Sequence, residues 1–127
     1  MKLSTRKVSA QIAVSDIDRA VRFYEGTLGL VPTQTPSEQT RAYPCGDGTV
    51  LHVYASPDHA GMATSTVARW DVDDIVRAVE ELTASGVTFE KHDEPVATDD
   101  RGIHDSGYGK VAWFRDPDGN TFALEQV

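Results

Sequence analysis

The chain has 127 residues, 39% hydrophobic and 25% charged, and these proportions are typical of an ordinary globular domain rather than a disordered or fibrous chain. With 20 acidic and 12 basic residues the formal net charge is −8, which argues against a nucleic-acid partner because such partners require clustered cations. No apolar run is long enough to cross a bilayer, and no hydrophobic stretch follows the basic residues at the start, so we expect no membrane association and a cytoplasmic location.

One segment of the chain is repeated further along. Val14–Val21 (VSDIDRAV) recurs as Val72–Val79 (VDDIVRAV), a shift of 58 positions at which six of eight residues are identical. A second echo pairs GDGT at 46–49 with PDGN at 117–120. The pattern predicts two copies of one module, about 5–57 and about 64–127, joined by a link too short to separate independent domains.

Each copy begins with an alternating strand and continues with an amphipathic helix and three short strands, which predicts βαβββ twice. The first helix is predicted to begin at Ser15, with Asp18 three residues on completing a capping box. The second is predicted to begin near Asp73 and to end at Gly86, before a strand over 87–90.

An irregular stretch over 92–108 is longer than most connections in compact domains. Such a loop is usually either a lid or a disordered excursion. His104 and Tyr108 lie in it, and they either close over a ligand or belong to an exposed loop with no role.

Two further stretches carry a family resemblance, VSDIDRAVRFYEGTLGL near the start and VAWFRDPDGNTFAL near the end. Together they resemble the vicinal-oxygen-chelate superfamily, which takes in glyoxalase I, bleomycin-resistance proteins and extradiol dioxygenases. The resemblance implies an α+β fold in which residues 1–127 form one domain, with two βαβββ modules building a cupped mixed sheet. It also implies a homodimer, whose modules pair either within or between chains.

In the metal-dependent members of that superfamily, the first and last strand of each module supply one metal ligand each. The resemblance places these four positions at Ser9 and His52 in the first module and at Val67 and Ala123 in the second. Only His52 is a strong ligand, and divalent metals in enzymes normally take at least three, so we expect no metal and no other cofactor. A divergent site made of His52, Glu125 and His104 is the alternative.

Strand alternation separates an apolar face in each module from a polar one. The polar faces are predicted to bind a small molecule through six residues: Ser9, Gln11, His52, Tyr54, Arg69 and Glu125. His52 is either a structural imidazole held by Gln11 or Tyr54, or a general acid or base. Arg69 and Glu125 either pair with each other or recognise substrate.

Three aromatic residues, Tyr43, Tyr54 and Trp113, are candidates for a wall on which a ligand stacks. Two functions stay open at this point. One is a metal-free small-molecule binder resembling the bleomycin-resistance proteins, and the other is an enzyme of the superfamily that acts on an oxygen-rich or carbonyl substrate with His52 as acid or base.

Overall fold

The computed structural model divides the chain into two compact units, 1–61 and 62–127. It describes residues 1–33 and 37–127. Unit one contains strands and a helix with these bounds: β1 Ala10–Val14, α1 Ile17–Val21, β2 Thr40–Pro44 and β3 Val50–Ala55. Unit two contains β4 Thr66–Asp71, α2 Ile75–Ala84, β5 Ile103–Asp105, β6 Lys110–Arg115 and β7 Thr121–Gln126.

The sheet of unit one has the strand order β1-β3-β2, with β1 parallel and β2 antiparallel to β3. Apolar side chains at alternate positions, including Ile12, Val14, Leu51 and Val53, are buried on one face of it. Two of the three strands predicted after the first helix are present. The stretch that would hold the third includes 34–36, which lie outside the described residues.

The first helix begins one residue later than predicted. Asp16, not Ser15, is its N-cap, because the Asp16 Oδ1 accepts the backbone N–H of Arg19 at 3.1 Å. This bond is the main reason that the pKa of Asp16 is lowered. The hydroxyl of Ser15 instead accepts from the guanidinium of Arg19 at 2.8 Å. Beyond Val21 the chain continues as a π-helix over Arg22–Thr27.

The sheet of unit two has the order β4-β7-β6-β5, with β4 parallel to β7 and the other pairs antiparallel. The N-cap of its helix α2 is Asp74, whose Oδ1 accepts the backbone N–H of Arg77 at 3.1 Å. This agrees with the start predicted near Asp73. The core of this unit includes these large apolar side chains: Ile75, Val79, Phe114, Phe122 and Leu124.

The segment between α2 and β6 differs most from the sequence-based prediction. Instead of a strand over 87–90, only Phe89 forms an isolated bridge to Phe114. The irregular stretch predicted over 92–108 contains the strand β5. Gly102 packs against Phe89 so closely that an added Cβ would lie 2.9 Å from the Phe89 Cβ, which ties this stretch to the core.

The turn at Asp116 is structural, as the sequence predicts. The buried Asp116 carboxylate accepts the backbone N–H of Asp118 at 3.0 Å and that of Asn120 at 2.9 Å, and Gly119 has a φ of 89°. The backbone N–H of Asp116 donates to the Asn120 carbonyl at 3.0 Å, and in unit one Cys45 bonds Thr49 in the same way at 2.8 Å. The second sequence echo therefore marks two turns that are closed by the same backbone bond.

The predicted α+β fold with paired strand–helix–strand modules is confirmed by these two sheets and their helices. Unit two has the complete βαβββ order. Within 1–33 and 37–127, no helix has the length and apolar character needed to cross a bilayer.

Candidate functional site

The polar face of unit two carries two rows of neighbouring side chains. Strand pairing places Arg69 beside Ala123 and Ala123 beside Trp113 in one row. The next row runs from Asp71 through Glu125 and Val111 to His104. Because neighbouring strands lie about 4.8 Å apart, Arg69 and Trp113 stand about 10 Å from each other with only the Ala123 methyl group between them.

Arg69 is held by two carboxylates. Its Nη1 lies 2.8 Å from the Glu125 Oε2, and its Nε lies 3.1 Å from the Asp71 Oδ1. The pairing of Arg69 with Glu125 predicted from the sequence is therefore present. About half of the Arg69 side chain remains exposed to solvent, so the guanidinium keeps an accessible surface beside this pair.

A cavity of about 490 Å³ opens on this face of unit two. Its lining brings together four residues predicted from the sequence as ligand contacts: Arg69, Tyr108, Trp113 and Glu125. Val111 and Ala123 supply apolar surface between them. The cavity thus combines an aromatic wall, a small apolar floor and an ion pair, the usual elements of a site for a small organic molecule.

Trp113 also contacts groups that sequence reasoning missed. The ring of His92 lies 5.5 Å from the Trp113 ring, and the backbone N–H of Glu90 donates to the Trp113 carbonyl at 2.8 Å. The side chain of Glu90 in turn approaches His92, with 3.4 Å between Oε1 and Nε2. Alternation from the core residue Phe89 would have indicated that Glu90 lies on the opposite, polar side.

His104 and Tyr108 are not parts of one mobile loop. His104 is the central residue of β5, and its ring lies 6.4 Å from that of Trp113. Tyr108 occupies the turn between β5 and β6, where the Ser106 N–H donates to the Gly109 carbonyl at 3.0 Å. The Tyr108 side chain is 93% exposed and borders the cavity from this short turn.

The polar face of unit one carries the other predicted residues. His52 pairs with Gln11 on β1 and with Ala42 on β2, and Tyr54 pairs with Ala13 and Thr40. Neither Gln11 nor Tyr54 holds the imidazole, since none of the described side chains is hydrogen-bonded to His52. Ser9 is exposed and precedes β1.

Tyr43 does not lie on the polar face, which corrects its assignment as a ligand contact. It pairs with Leu51, on the core side of the sheet, and is fully buried. Its hydroxyl donates to the Glu25 Oε2 at 3.0 Å, and its ring stacks on that of Tyr24 with 6.0 Å between centroids. Burial and the bond to Glu25 raise the pKa of Tyr43.

The four positions implied for metal ligands do not fit a divalent metal. Ala123 offers a methyl group in register with Arg69, and Val67 lies at an irregularity in β4. The hydroxyl of Ser9 is a weak ligand, which leaves the His52 imidazole as one strong donor. In the part of the chain that the structure describes, no three His, Cys, Asp or Glu side chains are grouped so that they could hold a metal ion.

Known proteins share this fold. TnmS3, an antibiotic binding protein from Streptomyces sp. CB03234, is 25% identical over 95% of this chain and 94% of its own, with a TM-score of 0.66. A glyoxalase/bleomycin resistance protein from Catenulispora acidiphila DSM 44928 is 24% identical over 95% of this chain and 97% of its own, with a TM-score of 0.71.

A bleomycin-binding protein complexed with bleomycin is 21% identical over 96% of this chain and 98% of its own, with a TM-score of 0.69. At that identity the likeness shows the fold. No curated protein matches the sequence. The sequence profile of the glyoxalase/bleomycin resistance protein/dioxygenase superfamily matches residues 7–124, and the chain therefore belongs to that superfamily.

Proposed function

We propose that this protein binds a small organic molecule on the polar face of unit two, without a metal. The observation that carries the proposal is the slot over Ala123, with Trp113 on one side and Arg69 on the other. The antibiotic-binding TnmS3, at 25% identity over nearly the whole chain, supports a binding role.

The slot favours a ligand with a flat aromatic part and a polar substituent. An aromatic ring gains most by stacking on the indole of Trp113, and the Ala123 methyl leaves room beneath it. Arg69 has an exposed guanidinium surface, so it can donate to an acceptor group of the ligand while it stays paired with Glu125. The geometry thus supports binding by stacking plus one directed polar contact.

The proposal extends to a cytoplasmic homodimer. Strands β1 and β4 each lie at the edge of their own sheet. An edge strand offers backbone N–H and C=O groups that can pair with another chain, which supports association of two copies.

The test compares naphthalene-2-carboxylate with decahydronaphthalene-2-carboxylate, which has the same acid group on a saturated ring system. Binding is followed by calorimetry and by the indole N–H signal of Trp113 in nitrogen-15 NMR spectra. Trp70, which lies against Phe114 and Phe122 in the core, supplies a reference signal. We expect the aromatic acid to bind and to shift the Trp113 signal more than that of Trp70.

The variant Trp113→Ala should bind the aromatic acid about tenfold more weakly, because it loses an aromatic stacking partner worth about 1.4 kcal/mol. Trp113→Phe should retain most of the affinity. Arg77→Ala, which breaks an exposed ion pair with Glu81 on α2, is the matched control and should change nothing. Equal affinity for the saturated and aromatic acids would refute stacking.

Metal analysis of the protein, purified without a histidine tag or a chelator, tests whether the site is free of metal. We expect less than a stoichiometric amount of zinc, nickel, manganese or iron. One tightly bound equivalent, lost in His52→Ala, would instead indicate metal-dependent chemistry.

A further inference from the structure

Trp113 contacts two imidazole rings. The centroid of His92 lies 5.5 Å and that of His104 lies 6.4 Å from the Trp113 centroid, with interplanar angles of 36° and 32°. The β5 strand, which carries His104, lies beside β6 on the side opposite to β7. Ala123 and the cavity floor lie on the β7 side.

The ring of His104 is held in a defined orientation. Its Nδ1 lies 2.7 Å from the carbonyl oxygen of Ala97. A carbonyl oxygen only accepts hydrogen bonds, so the Nδ1 of His104 carries the hydrogen. This directed bond restricts rotation of the imidazole beside the indole.

The backbone that carries His92 is fixed by hydrogen bonds, and its ring Nε2 lies 3.4 Å from the Glu90 Oε1. The His92 N–H donates to the Thr98 Oγ1 at 2.8 Å, and the Thr98 N–H donates to the His92 carbonyl at 3.0 Å, so the loop between them is closed at its base. Glu90, two residues earlier, is bonded through its own N–H to the carbonyl of Trp113 at 2.8 Å. The segment that carries His92 is thereby attached to the strand that carries Trp113.

From these contacts we infer that His92 and His104 are positioning residues, which hold the indole of Trp113 at the angle that stacking requires. The inference rests on the proposed binding function. A tryptophan on an open sheet face samples several rotamers, and a ligand that needs one of them loses affinity by immobilising it. Two anchored imidazoles restrict the indole before the ligand arrives.

The test measures naphthalene-2-carboxylate affinity and the Trp113 indole signal in His92→Ala, His104→Ala and His92→Phe. Each alanine variant should bind about fivefold more weakly and should shift and broaden the ligand-free Trp113 signal. His92→Phe keeps a flat ring against the indole and should restore both. His59→Ala is the control, since His59 is exposed in unit one and is bonded to the Ser56 hydroxyl.

The possible outcomes distinguish the proposed binding function from the proposed positioning role of His92 and His104. If the wild-type protein binds the aromatic acid and both alanine variants bind it equally well, the positioning role is wrong while the binding function stands. The same holds if affinity falls but His92→Phe does not recover it, because the loss is then not due to ring packing. Failure of the wild-type protein to bind either acid would overturn the binding function and the positioning role together.

Discussion

Tyr43 shows how one buried residue can stabilise unit one without any contact to a ligand. Its ring is fully buried against Tyr24, and its hydroxyl needs a partner there because an unpaired buried hydroxyl is costly. Glu25, from the π-helical turn, supplies that partner at 3.0 Å. The bond therefore connects the end of the helix with β2.

Tyr43→Phe should lower the free energy of unfolding by about 1 kcal/mol, because it removes this hydrogen bond and leaves Glu25 without its donor. Urea denaturation measures the change. Tyr108→Phe, at a position that is 93% exposed, serves as the control and should leave stability unaltered. A change in ligand affinity in Tyr43→Phe with unaltered stability would show that the buried assignment is incorrect.

The same pair gives a pH dependence with a definite sign. The pKa of Tyr43 is raised in the folded state, so on going to high pH the unfolded chain loses this proton first. The stabilisation is therefore complete below about pH 10, the ordinary tyrosine pKa, and declines above it. The stability of Tyr43→Phe should approach that of the wild-type protein between about pH 10 and 11 in the same urea experiments.

The sequence misled on Tyr43 because strand β2 has no clear alternation. Arg41 and Tyr43 pair with the core residues Val53 and Leu51, whereas the intervening Ala42 pairs with His52 on the polar face. Arg41 stays on the core side by donating from its guanidinium to nearby backbone carbonyls. A strand with a cation on its buried side and a methyl group on its polar side cannot be oriented from hydrophobicity alone.

At the scale of elements, the two helices begin in the same way. Asp16 and Asp74 occupy equivalent places in the internal repeat, and each accepts a backbone N–H three residues later at 3.1 Å. The repeat was visible in the sequence. The cap of the first helix was misjudged by one position because serine is itself a frequent N-cap residue.

Asp74→Ala should lower the free energy of unfolding by about 1 kcal/mol, since the first turn of α2 then loses its cap. Asp73→Ala removes the same charge one residue earlier and should have little effect. Thermal and urea unfolding of both variants distinguish them. A larger loss in Asp73→Ala would restore the helix start predicted from the sequence.

The structure of the stretch from Phe89 to Asp105 could not be predicted, because it is determined by contacts with residues that are distant in the sequence. Three residues, Ile103–Asp105, are too few to show alternation, and they form a strand because β6 lies alongside. Phe89 is held by its bridge to Phe114 and by the close approach of Gly102. The contacts of His92 and His104 with Trp113 arise in this stretch, and only His104 was predicted from the sequence as a ligand candidate.

At the scale of the whole molecule, family and fold were predictable while the site was predictable only in part. Arg69 and Glu125 were assigned to one polar face because Arg69 alternates with Trp70 on β4 and Glu125 alternates with Leu124 on β7. Trp113 could not be assigned to a face in this way, because on β6 Val111 and Trp113 share a face with Arg115. The role of Ala123 as a floor between Arg69 and Trp113 depends on strand register, which composition does not reveal.

Light scattering after size exclusion should give twice the mass of the chain, as expected for a homodimer built at sheet edges. A charged substitution at an exposed position of the edge strand β4, such as Thr66→Lys, should shift the population toward monomer, whereas Thr88→Lys, exposed and outside the strands, should not. A monomer at every concentration up to the millimolar range would contradict the proposed assembly.

The turn that carries Tyr108 has a consequence for how such proteins diverge. Its shape depends on the Ser106 hydroxyl, which accepts the Gly109 N–H at 3.2 Å, and on the Asp105 carboxylate, which accepts the Gly107 N–H at 2.9 Å. Neither bond involves the Tyr108 side chain, which borders the cavity from a rigid support. Evolution can therefore exchange this one side chain, and with it the shape of the cavity border, at almost no thermodynamic cost to the fold.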